Sequence, residues 1–303
     1  MNVERGEKVA LILEGGGMRA GFVAGVLMAL LDNGITHFDE ALAVSASVPT
    51  LAYFLAGQRL EMEAVWRHEL CTSKLVCYRN IPAASLALSP KRPVLDIDYL
   101  IYDVFKKKYP LDIQQLRKLD TLFHFAATNV LTGEMSLLGI DHGDIYDIFR
   151  ACLAVPGCYP VTVRIGDDHF VDGGTVNPLP ASYLLNRGGR KKIVAVLTKP
   201  LGCEGEPPSI FERTLFWRYF HRHEWMLDKL WEAAQSYGEE VARLETMAEE
   251  DPPRALIITP QKIPPAKFIT RDRRKINRTI DMGYKKAMAM ITEISSFCCV
   301  RRN

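Results

Sequence analysis

The chain has 303 residues, 48% hydrophobic and 24% charged, which are the proportions of a folded globular protein and lie far from the low-hydrophobicity, high-charge regime of disorder. Its 38 basic and 36 acidic side chains leave a formal net charge of +2, too near balance for a protein whose main work is gripping nucleic acid. The seven cysteines form neither a CxxC pair nor a Cys/His ligand spacing, so no disulfide framework, metal site or cofactor is expected, and a reduced cytoplasmic compartment fits best.

The N-terminal stretch MNVERGEKVALILEGGG has charges on both sides of a short apolar run and does not read as a secretory signal. No segment reaches the roughly 18 apolar residues of a spanning helix, so any contact with a membrane is expected to be peripheral, from the aqueous side. Residues 9–13 (VALIL) are a continuous apolar run ending one residue before three glycines, the pattern of a buried parallel strand entering a tight turn. Residues 19–32 are apolar on nearly every side and stop at Asn33-Gly34, which predicts a helix buried in the core.

A second short strand is predicted over 40–45 (EALAVS), followed by a Pro49-started helical stretch over 50–57. Further strands are expected at 123–129, 136–138, 169–171 and 193–198, with helical stretches between several of them. Residues 200–210 are rich in Pro and Gly, yet a long helical stretch at 211–250, a buried-looking strand at 255–259 and an amphipathic helix at 273–295 suggest that the C-terminal third completes the same sheet. The alternation argues for an α/β fold with a mainly parallel sheet and helices on both faces.

Three constellations can carry chemistry. The glycine loop, Glu14-Gly15-Gly16-Gly17-Met18-Arg19-Ala20-Gly21, lies between a strand and a helix, where bare N–H groups converge on an anion. It can be a plain tight turn, a dinucleotide phosphate site of the G-x-G-x-x-A form, or an oxyanion hole. Ala43-Val44-Ser45-Ala46-Ser47 occupies the place of a nucleophile elbow, with small residues where G-x-S-x-G has its glycines. Phe170-Val171-Asp172-Gly173-Gly174 sets an acid at a strand end before two glycines. Taken singly, a structural serine and an ordinary Asp-Gly-Gly turn are the commoner readings.

In this order, the three resemble the patatin-like phospholipases, particularly the bacterial branch. The opening L-x-L-x-G-G-G-x-R-G falls on residues 11–20, with Ala20 in the last place, and the elbow on 43–47, which makes Ser45 rather than Ser47 the nucleophile. RACLAVPGCYP at 150–160 is similar to R-A-S-x-x-x-P-x-x-x-P, and DGGTVNPLP at 172–180 to D-G-G-x-x-D/N-P-x-P. The resemblance implies a three-layer α/β/α fold and one acyl-hydrolase domain over 1–303, with its motifs in 9–200. It implies a serine esterase with a Ser45–Asp172 dyad and an oxyanion hole at Gly15, Gly16 and Gly17, extended to Met18 and Arg19. The substrate is then a lipid or other acyl ester, hydrolysed without a cofactor or Ca²⁺. The alternative is a catalytically impaired relative that binds lipid or protein.

Four features stay outside that reading. His221 or His223 could complete a conventional Ser-Asp-His triad. The aromatics around them (Phe216, Trp217, Tyr219, Phe220, Trp225) suit either a membrane interface or core packing. The basic runs at 106–108, 271–275 and 301–302 read as solvated faces or anion contacts, and Cys298 and Cys299 as acylation sites only at the margin.

Overall fold

The computed structural model describes residues 7–82, 93–187, 191–203 and 224–298. The predicted runs form the strands β1 (Lys8–Leu13), β2 (Glu40–Val44), β3 (Leu122–Asn129), β4 (Met135–Leu138), β6 (Asp168–Asp172), β7 (Lys191–Val196) and β8 (Ala255–Ile258), with β5 (Val163–Ile165) added before β6. They build one sheet in the order β5-β6-β3-β2-β1-β7-β8, with β4 paired to β3 on its own. The pairs from β3 through β2, β1 and β7 to β8 are parallel; β4 and β6 run antiparallel to β3, and β5 antiparallel to β6.

Side chains alternate across each central strand, so β1 sends Val9, Leu11 and Leu13 to one core and Ala10 and Ile12 to the other. The first core holds helix α1 (Gly21–Asp32), α2 (Ser47–Leu55), α4 (Ile145–Cys152) and α7 (Arg273–Ala289); α3 (Arg59–Ala64) packs beside them and continues as a π-helical turn, Val65–Glu69. The second core holds α5 (Ala181–Leu185) and α6 (Glu224–Ala248), which contributes Tyr237, Leu244 and Met247. This is the expected α/β arrangement, with a mostly parallel sheet between helical layers.

Helix α1 is buried from Gly21 to Leu30, as its all-round apolarity requires. The helix expected over 273–295 is interrupted: α7 closes at Met290, whose N–H bonds to Ala287 O, and α8 (Ile291–Phe297) restarts beyond it. The Lys106–Lys108 run lies on a π-helical segment, Tyr99–Lys108, where the lysines pair with Asp144, Asp103 and Glu69 respectively. In the 271–275 run, Asp272 caps α7 by accepting from the Arg274 and Lys275 N–H groups. Phe216, Trp217, Tyr219, Phe220, His221, His223, Cys299, Arg301 and Arg302 lie outside the described residues, as does the side chain of Trp225.

Candidate active site

Strand β2 delivers Ser45 to the turn that opens α2. The turn is sharp enough to hold Ser45 at φ 56°, the only positive φ of a non-glycine residue among the described residues. That strain is the signature of an elbow, since it lifts one side chain clear of strand and helix alike. Ala43 and Ser47, which stand where an elbow usually has glycine, are both fully buried. The Ser47 Oγ donates to Glu14 O at 2.7 Å, which ties the elbow to the glycine loop.

Asp172 ends β6. Its Oδ2 accepts from Ser45 Oγ at 2.6 Å, its Oδ1 accepts from Gly174 N–H at 2.7 Å, and its own N–H donates to Ala154 O at 3.1 Å. Gly173 is required here, because a Cβ at that position would stand 2.5 Å from Ala126 O. Asp172 is only 3% exposed. Burial pushes its carboxyl up to about 7 from an ordinary 3.8, and the bonds from Ser45 and Gly174 oppose that rise only in part. A group with that affinity for protons can take one from a serine hydroxyl far more readily than an exposed aspartate can.

The glycine loop lies directly against the elbow: a Cβ on Gly15 would come within 3.0 Å of Ser45 Cβ. Its N–H groups have divided roles. Those of Gly15 and Met18 donate to Pro178 O and Phe268 O, both at 3.0 Å, and that of Arg19 donates to Gly16 O at 3.2 Å. Among the described residues the N–H groups of Gly16 and Gly17 have no acceptor, and they stand at the start of the 3-10 turn Gly17–Ala20 that leads into α1. Gly17 has φ +55°, and a Cβ there would sit 2.4 Å from Phe268 O.

The residue that opens this loop, Glu14, is given no role of its own in the sequence reading. Glu14 is buried, and its carboxylate accepts from Thr198 N–H while Thr198 Oγ1 donates to Gly15 O at 3.4 Å. Burial raises the Glu14 carboxyl above the ordinary range against the pull of Thr198, Lys199 and Arg19. The sequence places Glu14 at the head of the glycine loop but gives no sign that its carboxylate reaches Thr198, which is remote in the chain.

A cavity opens from Ser45. Gly17, Met18 and Ser45 stand at one part of it, and the remaining wall is almost wholly apolar, including Pro49, Trp66, Leu100 and Phe268. The 150–160 block serves this wall. Arg150 is pinned to Asp98 at 2.7 Å and to Tyr159 Oη at 2.8 Å, while Leu153 and Val155 line the cavity. Among the described residues no histidine bonds to Ser45 or Asp172, and His169 is a β6 strand residue near Thr162. Among the described residues no group of three or more His, Cys, Asp or Glu is placed to hold a metal ion, and none of the helices is long and apolar enough to cross a membrane.

The four sequence blocks thus close on one another through Gly15 with Pro178, Ser47 with Glu14, Ser45 with Asp172, and Asp172 with Ala154. Comparisons with known proteins point the same way. The family model described as patatin-like phospholipase matches residues 11–185. The uncharacterized protein YjjU of Escherichia coli (strain K12) is 25% identical over 197 residues; the match covers 64% of this chain and 52% of that protein, so the chain spans about half the length of this relative. Among solved structures, the crystal structure of VipD from Legionella pneumophila aligns with a TM-score of 0.52 at 14% identity, over 95% of this chain and 67% of that one, which is a likeness of fold.

Proposed function

The chain belongs to the patatin-like phospholipase family, a family of lipid acyl hydrolases, and we propose that it is a serine acyl-ester hydrolase of the phospholipase A or lysophospholipase kind. The observation that carries this reading is the 2.6 Å bond between Ser45 Oγ and a buried Asp172 at the head of an apolar cavity. Ser45 Oγ attacks the ester carbonyl carbon while its proton passes to Asp172 Oδ2. The negative oxygen of the tetrahedral intermediate faces the Gly16 and Gly17 N–H groups, and loss of one such donor typically costs about 3 to 4 kcal/mol of transition-state stabilisation.

Asp172 then returns the proton to the leaving alkoxide, and the acyl group stays on Ser45. A water molecule, deprotonated by Asp172, attacks the acyl carbonyl; the proton goes back to Ser45 and the fatty acid leaves. Lipid reaches the cavity from the aqueous side, at a peripheral encounter with a membrane or from a micelle. No cofactor enters any step.

The test is p-nitrophenyl butyrate hydrolysis beside fluorophosphonate labelling, for the native protein and for Ser45→Ala, Ser47→Ala and Asp172→Asn. Ser45→Ala is expected to lose both signals and Asp172→Asn to lose hydrolysis by about 10³-fold or more. Ser47→Ala should keep the label, since its hydroxyl serves the Glu14 carbonyl. A folded native protein silent in both assays would instead indicate a lipid- or protein-binding module that no longer turns substrate over.

A further inference from the structure

We infer that the cavity takes one unbranched acyl chain end-on and that the ring pair Tyr53–Phe105 closes it at medium length, so that acyl groups of about eight carbons are preferred over long-chain ones. This rests on the acyl-hydrolase reading and adds to it which acyl groups fit. Ala46, Pro49, Thr50 and Tyr53 all line the cavity, and their spacing places them on one face of α2. The cavity therefore runs alongside that helix, away from Ser45.

From residue 46 to residue 53 an α-helix rises about 10 Å. A carbon chain with bonds of about 1.5 Å advances roughly 1.3 Å per carbon, which gives about eight carbons before the level of Tyr53. Both rings of the Tyr53–Phe105 pair are braced. Tyr53 and Phe105 are 2% and 1% exposed, with ring centroids 6.0 Å apart. Tyr53 Oη donates to Tyr109 O at 2.5 Å, and Phe105 stands edge-on against Phe149 with centroids 5.9 Å apart. Neither ring can swing aside without breaking a buried contact.

The flank is fixed and dry in the same way. Trp66 Nε1–H donates to Thr50 Oγ1 at 3.0 Å, and that hydroxyl donates in turn to Ala46 O at 3.0 Å. Both polar atoms on this wall are thus engaged by the protein and make no demand on the ligand. A rigid apolar slot discriminates by length, because a chain too long for it must leave methylenes in water or displace packed rings.

The experiment is the hydrolysis of p-nitrophenyl esters from acetate to palmitate by the native protein, Tyr53→Ala and Phe105→Leu. It is paired with octanoate and palmitate binding to Ser45→Ala, read by displacement of a fluorescent fatty acid. Each profile is read as a ratio within one variant, so it does not depend on how much of that variant folds. The native protein is expected to favour octanoate over palmitate by about tenfold in kcat/KM, and either floor variant to shift that ratio toward palmitate by a similar factor. Selective binding by Ser45→Ala without any hydrolysis by the native protein would uphold the slot and sink the catalytic reading. Equal use and equal binding of the two lengths, or a profile unmoved in both floor variants, would overturn the inference and leave the dyad standing.

Discussion

A carboxyl held at about 7 inside the protein works against folding whenever it is ionised. Asp172 has a folded value of about 7 against 3.8 when solvated, so between those limits the folded state binds more protons than the unfolded one. Stability therefore falls as pH rises through that window, with no penalty below about 3.8 and the full penalty above about 7. In the proposed mechanism activity runs the opposite way, since Asp172 must be ionised to take the Ser45 proton: kcat/KM is expected to climb with pH through an ionisation near 7. Asp172→Asn removes the charge, so it should be inactive yet more stable than the native protein at pH 8, by on the order of 4 kcal/mol, with the difference vanishing near pH 4. Urea midpoints at the two pH values check this, and an equal midpoint difference at both would refute it. That Ser45 and Asp172 lie together was foreshadowed by the order of the blocks and their family resemblance, since each block taken singly reads as an ordinary structural serine or turn. The sharing out of the glycine-loop N–H groups was not, because their acceptors, Pro178 and Phe268, are remote in the chain.

Helices α1 and α7 meet through backbone. A Cβ on Gly25 would stand 2.0 Å from Ile280 O, and one on Gly283 would stand 1.9 Å from Phe22 O, so each helix offers a bare glycine to a carbonyl of the other. Gly283→Ala must push the helices apart across a packed core, and about 3 kcal/mol of destabilisation is expected in urea unfolding. Gly238 in α6 is the control, since a Cβ there meets nothing within 4 Å. Gly238→Ala should stabilise by about 0.5 to 1 kcal/mol, because it restricts the unfolded chain and favours the helix. Destabilisation of equal size by both would mean that helix approach is not what Gly283 serves. That α1 is buried could be read from its unbroken apolarity; that α7 covers it could not, for a glycine in an apolar helix looks the same whether it faces side chains or another backbone. The short strand β5 escaped notice for a related reason, as its three residues alternate too briefly to show a period.

The blocks that define the site lie within residues 11–185, yet the structure that holds them in place does not end there. Strand β8 pairs with β7, β7 with β1, and the loop that ends β1 carries the glycines. Phe268 holds the Met18 N–H, crowds Gly17 and lines the cavity, while α7 seals the outer face of α1. On the other face, Tyr237, Leu244 and Met247 of α6 cover Ala10, Ile12 and Leu42. The strand–helix alternation made the sheet legible, and the returning strand at 255–259 indicated that the C-terminal third joins it. The antiparallel edge was out of reach, because strand direction is set by connections that the local pattern does not encode. A chain ended after residue 200 keeps every motif but exposes both the α1 face and the β7 edge. It is expected to be inactive, to give no cooperative urea transition and to bind a hydrophobic dye, because the buried α1 side chains have no other cover. A soluble, cooperatively folding fragment that retained fluorophosphonate labelling at Ser45 would show that the motif region is self-sufficient and that the C-terminal third is an accessory to it.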